Sequence, residues 1–259
     1  MKDISIRPAP PSLAGNITIS RRETADCQIC QDAGYLRSDV PFGHPMFGRL
    51  TTCECKHRQQ NEKSTEELQK LSNLEVFGYQ TFENFDPDVP GTSQAYEAAL
   101  EFAREPAHRW LFLSGPCGTG KTHLAVAILE HVKRTQNMSH YIDVVPDLLD
   151  HLRATFDPNS GTAYDDRFSM IRNAQVLVLD DLGTENATPW AREKLYQIIN
   201  YRYMEQLPTV ITSNVDQRKV DDRIMSRILD HRLTQHIEMD AEDYRRPGDV
   251  RRMRRTGRR

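Results

Sequence analysis

No apolar run in the chain approaches the roughly 20 residues a helix needs to cross a bilayer, which excludes a membrane-spanning helix. The first residues, Met1-Lys-Asp-Ile-Ser-Ile-Arg-Pro8, lack the apolar stretch of a secretory signal, so the cytoplasm is the expected compartment. Cysteine is scarce. There are five in 259 residues, four of them between Cys27 and Cys55, too few and too clustered for a disulfide-stapled fold. A strong net charge is also missing, but the formal value of −3 hides an asymmetry. From Arg245 to Arg259, eight of fifteen residues are Arg and only Asp249 is acidic. Such a tail is either a solvated terminus or a basic arm for nucleic acid.

What the chain does contain is a phosphate-binding loop. Gly115-Pro-Cys-Gly-Thr-Gly-Lys-Thr122 matches G-x-x-x-x-G-K-[ST], in which glycines let backbone N–H groups turn inward around nucleotide phosphates. The cofactor-binding set is thus Gly115, Pro116, Cys117, Gly118, Thr119, Gly120, Lys121 and Thr122, with His123 next to it. Lys121 is expected to reach the terminal phosphates of ATP, and the Thr122 hydroxyl to ligate Mg²⁺. The context fits. Arg109–Ser114 is an apolar run suited to a buried parallel strand, and His123–Val132 continues as a helix, whose N-terminus favours an anion. Cys117 is read as a small tolerated side chain within the loop.

A second nucleotide element is Val176-Leu-Val-Leu-Asp-Asp-Leu-Gly183, an apolar strand ending in two carboxylates. Asp180 is expected to hold the Mg²⁺ shell and Asp181 to polarise the attacking water. Asn214, closing Thr212-Ser-Asn214, is a candidate to orient that water or to sense the γ-phosphate. Further strands are expected at Ser139–Val145, Thr209–Thr212 and Gln235–Met239. Helices are expected at 93–104, 146–156, 189–204 and 217–229. This alternation predicts an α/β fold with a parallel sheet flanked by helices and its ligand beyond the carboxyl ends of the strands.

Upstream, Cys27-Gln-Ile-Cys30 and Cys53-Glu-Cys55 read as two thiolate pairs for a structural Zn²⁺ in a small ribbon or knuckle. Cys-x-Cys is the less common spacing, which leaves His57 or His44 as alternatives for one ligand. The expected order is a loose segment 1–26, a zinc-ribbon-like module 27–57, and a linker helix 58–79 with Leu68, Leu71 and Leu74 on one face. An ATPase domain 80–246 and a basic tail 247–259 complete the chain.

Gly115–Thr122 with His123-Leu-Ala, Leu179–Gly183, Leu195-Tyr-Gln-Ile-Ile-Asn-Tyr-Arg202 and Leu207-Pro-Thr-Val-Ile-Thr-Ser-Asn214 together resemble the DnaC/DnaI-type bacterial helicase loaders. These share an AAA+ P-loop NTPase module with the IstB transposition helper proteins. The resemblance spans about 80–246, opens on Thr81-Phe-Glu-Asn-Phe85 near the adenine pocket, and implies roles that residue types alone do not give. Ser226-Arg227-Ile228 resembles the arginine-finger box, so Arg227 would reach the γ-phosphate of a neighbouring subunit, with Arg223 as competitor. Asp243-Tyr-Arg-Arg246 resembles the closing sensor box, with Arg245 favoured over Arg246.

Asp181 stands where many AAA+ enzymes carry Glu, which leaves Glu185 as an alternative base. In residues 146–172, where relatives carry an extra helix facing single-stranded DNA, Phe156, Tyr164, Arg167 and Arg172 are candidate contacts. The resemblance implies a Mg²⁺-dependent ATPase that self-associates through AAA+ interfaces. Its partners would be single-stranded DNA and a hexameric DnaB-type replicative helicase, gripped by the zinc module. Alternatives are an IstB-like transposition helper ATPase and a nucleotide-gated DNA-binding adaptor with negligible turnover.

Overall fold

The computed structural model describes residues 6–8, 25–72, 74, 77–136, 138–154, 161–184, 188–216 and 219–245. Phe156, Glu185, Arg246 and the basic tail fall outside these residues, as do the side chains of His57 and Tyr164. The chain divides into two compact units, Met1–Ser64 and Thr65–Arg259.

In the first unit, β1 (Ile6–Pro8), β2 (Tyr35–Ser38) and β3 (Leu50–Thr52) form an antiparallel sheet in that order. Pro8, which has no N–H to donate, lies on an edge strand, where that loss is tolerated. The β2–β3 register pairs Tyr35 with Thr52, and the Cys53 N–H donates to Gly34 O (2.9 Å). The hairpin therefore returns Cys53 to the turn that carries Cys27 and Cys30.

Helix α1 (Glu54–Leu71) starts directly after Cys53, so Cys55 lies in its first turn. From Thr65 on the helix belongs to the second unit, where Leu68 is buried and Leu71 packs beside it. The helix ends at Leu71, short of the expected 79.

The second unit is a three-layer α/β/α fold. Helix α2 (Ser93–Arg104) leads into β4 (Trp110–Ser114), then α3 (Lys121–Gln136), β5 (His140–Val144), α4 (Val145–Ala154) and α5 (Gly161–Asn173). There follow β6 (Val176–Asp180), α6 (Pro189–Met204), β7 (Thr209–Ser213), α7 (Asp222–Ile228) and β8 (Thr234–Glu238). The five strands β4 to β8 are all parallel, in the order β5-β6-β7-β4-β8.

Successive strand residues feed opposite core layers, as the two-residue period of a strand requires. Trp110, Phe112, Leu177, Leu179 and Ile211 pack on the side of α4 to α7. Leu111, Leu113, Val176, Val178 and Val210 pack on the side of α2 and α3. An alanine-rich face on α2, with Ala95, Ala98, Ala99 and Ala103 all buried, brings that helix close to α3.

Helix α4 stands where one was expected at 146–156, and α5 follows it. The helix expected at 217–229 is only Asp222–Ile228, because the Asp221 carboxylate accepts the Arg223 N–H (2.9 Å) and caps the helix there.

Opposite the nucleotide loop, at the amino ends of β6 and β7, Arg202 is fully buried. Its guanidinium donates to Thr209 Oγ1 (2.9 Å) and to the carbonyls of Arg172 (2.9 Å), Ala174 (2.7 Å) and Pro208. Burial lowers its pKa to about 9.

Candidate functional site

Three neighbouring strands end at one cleft. β4 runs into the glycine loop, β6 ends on Asp180, and β7, between them, runs into Asn214. The loop is tied to the sheet by the Gly115 N–H donating to Ser213 O (3.2 Å) and to the 241–245 segment by the Tyr244 N–H donating to Gly118 O (3.0 Å). Two glycines are required by close approach. A Cβ at Gly120 would stand 2.8 Å from the Phe85 ring, and one at Gly118 would collide with the Asp243 carboxylate. Both also have positive φ, which side chains disfavour.

Lys121 is 5% exposed and its Nζ donates to Gly115 O (2.8 Å), Pro116 O (2.6 Å) and Thr119 Oγ1 (3.3 Å). Burial lowers its pKa. The ammonium is thus seated inside the loop whose N–H groups would face phosphate.

Thr122 Oγ1 donates to the Asp180 carboxylate (3.0 and 3.1 Å), and Thr212 Oγ1 donates to Asp180 Oδ1 (2.6 Å). Thr212 also accepts the Asp181 N–H (3.0 Å), so one hydroxyl orients both acids. Asp181 sits in the left-handed region (φ 56°), which Asp tolerates better than most residues, and its Oδ1 accepts from Asn214 Nδ2 (3.2 Å).

Thr122 and Asp180 offer a hydroxyl and a carboxylate, the hard oxygen donors that suit Mg²⁺. Asp180 is 2% exposed, and burial, with Asp181 beside it, raises its pKa against the opposing pull of Thr212, Thr122 and Lys121. Raising a carboxyl's folded pKa means that the folded chain holds the proton more tightly than the unfolded chain does. This penalty is absent below the unfolded carboxylate range and sets in as pH rises through it. Asp180→Asn is therefore expected to raise nucleotide-free stability near neutral pH by about 1 kcal/mol while abolishing turnover. In thermal melts the gap from wild type should shrink as pH falls into the carboxylate range, and a variant melting lower than wild type at pH 7 would contradict this account.

The cleft is also lined by Gln80, Asn84, Phe85, Cys117 and Arg245. His123 Nε2 meets Thr81 O (2.9 Å) and its ring stands edge-on to Phe85 (5.1 Å), so it buttresses the Thr81–Phe85 segment.

Arg227 and Arg223 lie away from this cleft, on α7. Arg227 Nε donates to Asn200 Oδ1 (3.0 Å), Nη1 to Arg223 O (2.7 Å) and Nη2 to Tyr196 OH (3.0 Å). Arg223 instead pairs through Nε and Nη2 with the Asp221 carboxylate (3.2 and 3.4 Å). Of the DNA-contact candidates, the Arg172 guanidinium stacks over Tyr201 (4.6 Å) and Phe168 (5.7 Å).

In the first unit the sulfurs of Cys27, Cys30, Cys53 and Cys55 all lie within 4.8 Å of one another. Cys27 and Cys53 are 3.8 Å apart and Cys30 and Cys55 3.2 Å, against about 3.8 Å between ligands of a tetrahedral Zn–S₄ centre. The Cys30 and Ile29 backbones lower the Cys27 thiol to about 7, and the Cys30 sulfur beside Cys55 raises that thiol. Four such thiols become thiolates together only around a cation, and the set fits Zn²⁺. His44 is turned elsewhere, its Nδ1 accepting the Met46 N–H (3.1 Å).

Thr212, Tyr196 and Asn200 received no role from the sequence. The signals available were the place of Tyr196 and Asn200 in the Leu195–Arg202 run that carries the resemblance and their four-residue spacing, which puts both on one helix face.

The family described as "IstB-like ATP binding protein" matches residues 46–250. The replicative helicase loader DnaI of Bacillus subtilis is 25% identical over 256 residues, covering 87% of this chain and 80% of that protein. The replicative helicase loader DnaC of Escherichia coli K12 is 28% identical over 153 residues, 58% of this chain and 61% of that protein. A crystal structure of DnaI superimposes with a TM-score of 0.55 at 28% identity, covering 64% of this chain and 93% of that one. A crystal structure of the DnaC helicase loader gives 0.56 at 24%, over 63% of this chain and 98% of that one. The chain belongs to the IstB/DnaC-like family of ATP-binding proteins and carries their AAA+ P-loop fold.

Proposed function

We propose that this protein is an ATPase that loads a replicative DNA helicase onto single-stranded DNA in the cytoplasm. The observation that carries the reading is the reach of the likeness to DnaI. It covers 87% of the chain, whereas the unit beginning at Thr65 is only about three quarters of it, so the likeness extends into the cysteine-bearing unit.

ATP fills the cleft, with its phosphates on the N–H groups of the Gly115–Thr122 loop and Lys121 turned toward the terminal phosphate. Thr122 and Asp180 would hold Mg²⁺, which would supply positive charge against the phosphates. Asp181 and Asn214, already hydrogen-bonded to each other, orient the attacking water, and Arg245 contacts the nucleotide from the closing segment.

Arg227 completes the site of a neighbouring subunit. It is absent from the cleft of its own chain, and among the described residues all its acceptors are neutral, so its charge is free to act on phosphate. Arg223 is the poorer candidate, because Asp221 already neutralises it. The zinc module holds the helicase, ATP binding sets the assembly, and hydrolysis releases it.

The test is reconstitution with the replicative helicase of the same replicon. The expected result is a complex, and ATP-dependent deposition of the helicase on single-stranded DNA. A chain that neither binds the helicase nor alters its deposition sinks the proposal. The match to the IstB description favours a second reading, a transposition helper ATPase, which predicts stimulation of a transposase in place of helicase loading.

A further inference from the structure

We propose that Asn200 and Tyr196, on the face of α6 turned toward α7, are positioning residues that present Arg227 to the neighbouring subunit's nucleotide. This rests on reading Arg227 as the residue supplied in trans.

A guanidinium carries five N–H donors in a fixed planar fork. In this chain Nε is satisfied by Asn200 Oδ1, one donor of Nη1 by Arg223 O, and one donor of Nη2 by Tyr196 OH. Among the described residues, one N–H on each terminal nitrogen is left without an acceptor. Two donors on adjacent nitrogens make the bidentate unit that recognises two oxygens of one phosphate.

The plane of the group is held as well as its hydrogen bonds. The Arg227 Cζ lies 4.9 Å from the Tyr196 ring centroid and 5.9 Å from that of Tyr203. Tyr203 is itself fixed, since its hydroxyl donates to Asp230 Oδ2 (2.7 Å). A free arginine loses considerable rotamer entropy when it grips a ligand. This one has already lost much of it on its own surface, and no carboxylate among its three acceptors cancels its charge. Holding the donor in place before the phosphate arrives is the condition under which positioning accelerates a reaction.

The arrangement predicts an effect that depends on which subunit carries the change. Mixing Lys121→Ala subunits, which keep the finger, with Arg227→Ala subunits, which keep the nucleotide site, should restore ATP turnover. Asn200→Ala in the Lys121→Ala partner should lower that restored kcat by about 10- to 100-fold. Tyr196→Phe, which keeps the ring but loses the acceptor, should lower it by a few fold and stands in if Asn200→Ala does not fold. The loss must track the subunit that supplies Arg227. An equal loss when the change is moved to the Arg227→Ala partner marks a structural role and overturns the inference, as does restored turnover insensitive to either change. If the two partners restore nothing, Arg227 does not act in trans, and the reading beneath the inference fails first.

Discussion

Arg227→Ala should lower ATP turnover by about 1,000-fold or more while each subunit still binds ATP near its wild-type affinity. Both halves follow from placement. The guanidinium does not line the cleft of its own chain, so nothing in the first binding step requires it. Its three acceptors are an amide oxygen, a carbonyl and a phenol, so removing it strands no buried charge. Arg223→Ala is the internal control. It breaks an ion pair with Asp221 and a stack over Tyr196 (4.6 Å) but keeps the Arg223 carbonyl that holds Arg227 Nη1, and turnover should stay within a few fold of wild type. Equilibrium binding of a fluorescent ATP analogue and steady-state turnover, measured on the same preparations, give the two numbers. If Arg223→Ala silences the protein and Arg227→Ala does not, the assignments are exchanged.

Withdrawing metal from the cysteine cluster should unfold the first unit outright while the nucleotide-binding unit melts where it did before. Among its described residues, the only buried hydrophobic side chains in Met1–Ser64 are Cys30 and Cys53. Ile29, Phe42, Phe47 and Leu50 are all more than half exposed. Described residues with no apolar core of their own have little to hold them besides the ligand set, and structural zinc supplies about 10–16 kcal/mol in comparable small domains. Chelation, or Cys27→Ser, should release one zinc per chain and open 25–64 to protease. Nucleotide affinity of the rest should be unchanged. A first unit that resists protease without metal would show that the cysteines are incidental to its fold.

Strands β4, β6 and β7 were legible because a strand buried on both faces reads as a largely apolar run, and the ends of all five parallel strands fall within a residue or so of expectation. The glycine loop and the Asp180–Asp181 pair were legible because phosphate chemistry restricts which residues can follow one another. Contacts distant in sequence were not. Thr212 reads as one more β-branched strand residue until the register brings it beside Asp180. Asn200 and Tyr196 read as ordinary helix positions until α7 folds against them. The shorter α7 was missed because Asp221 signals a cap only when its side chain is seen to take the Arg223 N–H.

Arg202 gives the sheet two ends of opposite mutational character. At the carboxyl end of β6 stand the acids Asp180 and Asp181, which the proposed function assigns to a metal ion and a water. At the amino ends, a permanent cation is sealed among neutral oxygens that no lysine could reach in the same fork. Changes at Asp180 should therefore yield abundant but idle protein, whereas changes at Arg202 should deplete the protein itself. In a screen scoring abundance and activity separately, the two rims of one sheet should sort onto different axes.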